Sequence, residues 1–183
     1  MAIIEKNSLE DLLTKIGAAI TTPATICVVG SAAAILLGQP DRQTPDIDIW
    51  GPESDFDTGE LKRACEQIGL LFDPKGELDP DAAYLQILRP GITMFPEHFQ
   101  VEHLGRYGNL TLVMPPPPLI VATKLARGYD SDIEDAAWWV RERTLSVEDI
   151  EAAIPFIPQP DNREAARENI ILIQLTTSEG YEP

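Results

Sequence analysis

Basic residues are scarce in this chain: 14 Lys and Arg stand against 30 Asp and Glu, for a formal net charge of −16. A surface of that sign repels the phosphate backbone of duplex DNA, whose binding rests largely on Lys and Arg contacts. Duplex DNA is therefore excluded as a partner, and a basic protein or a cation-bridged small nucleotide is favoured. Cysteine is nearly absent. Cys27 lies in an apolar strand-like run and Cys65 in a helix-like one, so a disulfide framework is excluded and both read as packed thiols of a reducing compartment. No apolar run reaches the ~18 to 20 residues of a membrane span. The opening Met-Ala-Ile-Ile-Glu-Lys-Asn has no basic stretch leading into an apolar one, so a cytoplasmic protein with no membrane association is expected. The two histidines, His98 and His103, lie five apart with no cysteine near them. That argues against a zinc site, and neither has the setting of a Ser-His-Asp nucleophile.

What is present suits a globular fold. Hydrophobic residues make up 44% of the 183, enough for one sizeable core, or for one domain with a helical appendage. Ser8-Leu-Glu-Asp11 has the form of a helix cap, and Leu9, Leu12, Leu13 and Ile16 follow at helical spacing, predicting a helix over residues 8–20. Residues 24–29 (ATICVV) read as a short buried strand, Gly30-Ser31 breaks it, and residues 32–37 read as a short helix closed by Gly38. A polar turn over 40–45 leads to residues 46–50 (DIDIW), whose period of two predicts a strand with one apolar and one acidic face. A helix over 60–71, strands over 82–88 and 109–114, and a further short strand around 99–104 complete this half. Asp55-Phe-Asp57 reads as the cap of the 60–71 helix, and Asp73-Pro-Lys-Gly-Glu and Asp79-Pro-Asp81 as acidic turns.

Four prolines, Pro115 to Pro118, form a boundary that neither a helix nor an inner strand can cross. Beyond them the spacing is helical. One helix runs to Arg127 and stops at Gly128. Capping-box patterns at Ser131 to Glu134, Ser146 to Asp149 and Asp161 to Glu164 open three more. Trp138 and Trp139 read as helix packing. The expected class is α+β: a mixed β-sheet flanked by helices over residues 1–114, and a helical part over 115–183 packed on the same unit.

Two features carry chemistry. Gly30 lets the backbone turn tightly and lets a ligand approach it, and Ser31 sits where a helix start exposes N–H groups that suit phosphate. On a strand, residues i and i+2 point the same way, so Asp46 and Asp48 project from one face. Parallel carboxylates repel unless a cation or water lies between them. Hard oxygen ligands completed by substrate phosphates are the usual way of holding Mg²⁺. The bland alternatives are a simple turn at Gly30-Ser31 and a solvent-facing edge at Asp46 and Asp48.

Taken together, VVGSAAAILLGQPDRQTPDIDIW resembles the DNA-polymerase-β-like nucleotidyltransferase superfamily, whose members read hydrophobic-Gly-Ser, helix, then a strand bearing Asp-x-Asp. The stretch LIVATKLARGYDSDIEDA is similar to the lysine motif of AbiEii-like toxins and related bacterial proteins of toxin–antitoxin or defence loci. The resemblance covers about residues 24–140. It implies the nucleotidyltransferase fold and transfer of an NMP from an NTP to an RNA, such as tRNA, or to a protein acceptor. It also implies Mg²⁺ or Mn²⁺ on Asp46 and Asp48, and the nucleotide seated by Gly30 and Ser31. Lys124 would face the phosphates, with Asp132 or Asp135 orienting the lysine or the acceptor; the alternatives are an exposed helix lysine paired with a nearby acid for Lys124, and an interhelix salt bridge for Asp135 and Arg127. The pattern departs from the family at its third carboxylate, where Gln86 stands; Glu102 is a substitute if its segment is a neighbouring strand. Because glutamine cannot accept a proton, the alternative to an enzyme is a silent module of the same fold, acting as antitoxin, regulatory partner of another protein, or nucleotide sensor.

Overall fold

The computed structural model describes residues 4–76 and 82–178, with side chains to residue 174. The turn expected at Asp79-Pro-Asp81 lies outside the described residues. At 51% helix and 19% strand the chain is a mixed α+β protein. It divides into two compact units, Met1–Arg89 with His98–Pro115, and Pro90–Glu97 with Pro116–Pro183. The division falls inside the proline run, and residues 90–97 group with the helical unit.

In the first unit, α1 (Lys6–Ala19) buries Leu9, Leu13 and Ile16 completely. It begins before the expected Ser8, because Glu5 is the cap residue and its N–H donates to Ser8 Oγ at 2.8 Å. Then come β1 (Ala24–Cys27), α2 (Ser31–Leu37), β2 (Asp46–Trp50), α3 (Thr58–Gln67), β3 (Leu71–Phe72), β4 (Tyr84–Leu88), β5 (Glu102–Tyr107) and β6 (Leu110–Met114). The expected 60–71 helix is shorter than its spacing implied: Gly69 (φ 77°) ends it, and residues 71–72 pair as β3 instead.

The strands form two three-stranded sheets, ordered β1-β6-β5 and β2-β4-β3. All pairs are parallel except β5–β6. Ile26, Ile47, Ile49 and Leu85 are fully buried, each stabilising by roughly 1.5–3 kcal/mol relative to exposure. The Cys27 and Cys65 thiols are buried and unpaired with each other, and desolvation pushes both up to about 12. They are protonated packing groups, as expected. A Cβ at Gly17 of α1 would lie 1.8 Å from the Tyr107 carbonyl oxygen, so α1 meets the β5–β6 hairpin backbone to backbone.

Asp57 caps α3, its Oδ1 accepting from Glu60 N–H at 2.6 Å. Glu60 in turn fastens the α1–β1 link: its carboxylate accepts from Thr21 N–H and Thr21 Oγ1, both at 2.6 Å, and from Thr22 N–H. Those donors hold its pKa near 2, below the ordinary 4.5. A depressed acid contributes stability above its unfolded pKa and loses it as pH falls through the folded value. Glu60→Gln should therefore lower the thermal midpoint at pH 7. The gap to the parent should close between pH 4.5 and 2 in a calorimetric series; a gap independent of pH would refute the anchoring role.

The second unit holds α4 (Pro117–Arg127), α5 (Asp130–Arg143), α6 (Val147–Ala153) and α7 (Pro160–Ser178). Pro117 suits the first turn of α4, where its missing N–H costs nothing, and Gly128 closes the helix in the left-handed conformation. Leu119, Ile120, Val121, Ala122 and Leu125 are all buried, which makes α4 the central helix of this unit, packed by α5, α6 and α7. Tyr129, not Ser131, precedes the first residue of α5. The box at Ser146 and Asp149 forms as expected. Trp139 is fully buried with the Trp138 ring edge-on at 5.1 Å, which is packing. Among the described residues no helix is long and apolar enough to cross a membrane.

Candidate functional site

The candidate site lies where β1 passes β2. Val29 N–H donates to the Asp48 carbonyl at 2.9 Å, and Val28 bridges Ile49. The next residue, Gly30, adopts φ 69°, ψ −149° and precedes α2. This conformation lies close to a region that is nearly glycine-only. A Cβ there would also come within 3.2 Å of Asp48 Oδ2. The glycine thus turns the chain and lets backbone and carboxylate meet.

Along β2, Ile47 and Ile49 are buried while Asp46 and Asp48 are half-exposed on the other face. Trp50 ends that second face and is fully buried, so the acidic face closes after two residues. Asp46 Oδ1 accepts from Thr44 Oγ1 at 2.6 Å and Asp46 Oδ2 from the Tyr84 hydroxyl at 3.1 Å. Tyr84 is the register partner of Asp46. Its pKa rises to about 12, first because it is desolvated and then because ionised Asp46 and Asp48 both oppose a phenolate. Both carboxylates therefore lie within electrostatic reach of the Tyr84 hydroxyl, and Asp46 accepts from it.

Gln86 is the register partner of Asp48. An amide, not a carboxyl group, therefore stands directly beside Asp48. Glu102 does not supply the carboxyl: β5 pairs with β6 at the far edge of the other sheet, not with β2 or β4. Among the described residues no group of three or more His, Cys, Asp and Glu side chains is placed to hold a metal ion. Two carboxylates, one already taking two hydrogen bonds, fit a Mg²⁺ that arrives with phosphate oxygens rather than a preformed cage.

Ser31 Oγ accepts from Arg42 Nη2 at 2.9 Å. Arg42, Thr44 and Tyr84 had no part in the sequence expectations. Arg42 had one legible signal: a cation four residues before Asp46 in a chain poor in cations. Thr44 and Tyr84 act through turn geometry and strand register, which spacing does not reveal. Asp55 pairs through its backbone with Thr25, and the capping falls to Asp57. His98 Nδ1 lies 2.9 Å from Glu53 Oε1, an ion pair when protonated.

Lys124 belongs to the helical unit, and its side chain is 4% exposed. Its ammonium lies 2.6 Å from Asp135 Oδ2 and 3.4 Å from Asp132 Oδ1, and Arg127 also donates to Asp132. Two cations and two carboxylates thus neutralise one another across α4 and α5, and the interhelix salt bridge is the arrangement found for Asp135 and for Arg127.

No protein-family model, curated protein or solved structure matches the chain. The nucleotidyltransferase resemblance rests on the residues quoted for it.

Proposed function

We propose that the first unit is a nucleotidyltransferase-type site that takes an NTP with Mg²⁺ and transfers its NMP to a hydroxyl of an RNA or protein acceptor, the hydroxyl oxygen bonding the α-phosphorus as the bond to the β-phosphate breaks and pyrophosphate leaves. The observation that carries this is the meeting of Gly30 with Asp48. A strand, a glycine turn and an Asp-x-Asp strand come together with the glycine backbone against the second carboxylate. When bound, Mg²⁺ would neutralise charge developing on the phosphate oxygens. Asp46 and Asp48 would hold it, with Thr44 and Tyr84 fixing the Asp46 carboxylate by hydrogen bonds to each oxygen. Gly30 leaves room for a phosphate against the backbone, and Ser31 supplies a hydroxyl donor beside it. Orientation of acceptor and nucleotide would supply much of the rate.

Gln86 favours a second reading: binding without transfer, in a silent module or nucleotide sensor. An amide opposite Asp48 cannot take the acceptor's proton, so transfer is expected to be slow or to need a group from the acceptor or a partner. The resemblance to proteins of toxin–antitoxin loci suits a partner-dependent activity. The test is incubation of the protein with each α-³²P-labelled NTP, Mg²⁺ or Mn²⁺, and tRNA or cell lysate. Label on a macromolecule supports transfer; calorimetric binding of an NTP without label transfer supports the silent module; a protein that shows neither label transfer nor NTP binding overturns the nucleotide reading.

A further inference from the structure

We propose that Arg42 is the side chain that takes the phosphate tail of the nucleotide, and that its bond to Ser31 aims the serine hydroxyl at the same phosphates; this rests on the nucleotidyltransferase reading above. The bond is 2.9 Å from Arg42 Nη2 to Ser31 Oγ. A guanidinium has donors only, whereas a hydroxyl carries one donor and two acceptor sites. Ser31 is therefore the acceptor, and its own proton must point away from Arg42. Arg42 fixes the direction of the serine donor without using it up.

Placement supports the same role. Arg42 lies on the segment joining α2 to β2, four residues before Asp46, and is half-buried. The side chain is thus held by its surroundings yet reachable. A triphosphate brought to Asp46 and Asp48 adds negative charge to a site that already holds two carboxylates, and the cation must offset it. The planar fork of arginine donates two parallel N–H bonds to phosphate, which lysine cannot copy.

Arg42 also lines a pocket of about 250 Å³ together with Lys6, Asn7, Gln39 and Gln43. The pocket thus adds a second cation and three amide side chains beyond the serine, groups that donate to phosphate oxygens, and its two carboxylates, Glu5 and Asp41, balance the two cations there. Glu5 lines it too, and there its Oε1 accepts from Gln43 Nε2 at 3.1 Å.

The test is calorimetric titration of the full chain with MgATP, MgCTP, MgGTP and MgUTP and with the matching monophosphates. It compares the parent, Arg42→Gln, Arg42→Lys, Ser31→Ala and Asp48→Asn. Arg42→Gln should weaken the best-bound triphosphate roughly 10- to 100-fold, with no comparable loss for its monophosphate. Arg42→Lys should recover part of that affinity by restoring the charge without the fork, and Ser31→Ala should lose less than Arg42→Gln. If Arg42→Gln binds the triphosphate as the parent does while Asp48→Asn binds it more weakly, Arg42 has no such role and the nucleotide site stands. Equal losses for tri- and monophosphate, or loss of all binding with a collapsed melting transition not rescued by Arg42→Lys, would make Arg42 structural and overturn the proposal. A parent that binds no triphosphate overturns both this proposal and the reading beneath it.

Discussion

Lys124→Met should destabilise the helical unit by about 3–5 kcal/mol, the cost of removing one partner from a buried ion pair. The ammonium is almost sealed from solvent, 2.6 Å from Asp135 Oδ2. Methionine matches the length of the stem but leaves the Asp135 carboxylate without that cation in a poorly solvated setting. Asp132 is less affected, since it also accepts from Arg127. A buried pair replaced on both sides by apolar groups is often neutral or stabilising, so Lys124→Met with Asp135→Leu should recover most of the loss. Urea unfolding of the two single variants and the double variant, read as a cycle, measures the coupling. A Lys124→Met midpoint indistinguishable from the parent would show that the charges do not depend on one another as drawn. The same cycle bears on function: a lysine tied this tightly must be released from Asp135 before it can serve a phosphate.

Sequence periodicity located elements best where it coincided with punctuation. DIDIW alternates cleanly and is β2 residue for residue, and the Pro115 to Pro118 run falls at the boundary between units because no regular element can cross it. It failed where local chemistry outweighed the spacing. The strand expected around 99–104 is displaced to β5 (Glu102–Tyr107), since EHLGRY lacks alternation and its register slips between His103 and Gly105. The helix expected over 60–71 stops early at a glycine whose positive φ no periodicity announces. In the candidate site, the local conformations at Gly30, Ser31, Asp46 and Asp48 are legible in the sequence because each rests on a local rule: a glycine turn, or the two-residue period of a strand. Gln86 could be suspected from its strand. Its position directly across from Asp48 is a matter of register between segments 38 residues apart, which hydrophobic pattern does not set. Arg42 stands in a polar turn, and no periodicity of the sequence shows that its side chain reaches Ser31. For Lys124 and Asp135 the spacing could not choose between a shared ion pair and a phosphate role, because both need the same residues on facing helices.

Asp48→Asn should reduce Mg²⁺-dependent NTP affinity by roughly 100-fold or more, taking as a floor the 10- to 100-fold loss on mutating mere supporting partners of metal ligands. Asparagine keeps the size of the side chain, so Gly30 still clears it, but the second negative charge of the Asp-x-Asp pair is gone. Asp57→Ala is the matched control: it removes the α3 cap, costs about 1 kcal/mol, and should leave NTP binding alone. Glu102→Gln, at the far edge of the other sheet, should also bind as the parent does. Gln86→Asp tests the missing acid from the other direction. A third carboxylate beside Asp48 should lower the melting midpoint in EDTA through repulsion, regain it with Mg²⁺, and raise whatever transfer rate the parent shows. An Asp48→Asn variant that binds MgNTP with unchanged affinity would remove the Asp-x-Asp pair from the site. A Gln86→Asp variant indifferent to Mg²⁺ in its melting would show that no cation is drawn to this face of β2 and β4.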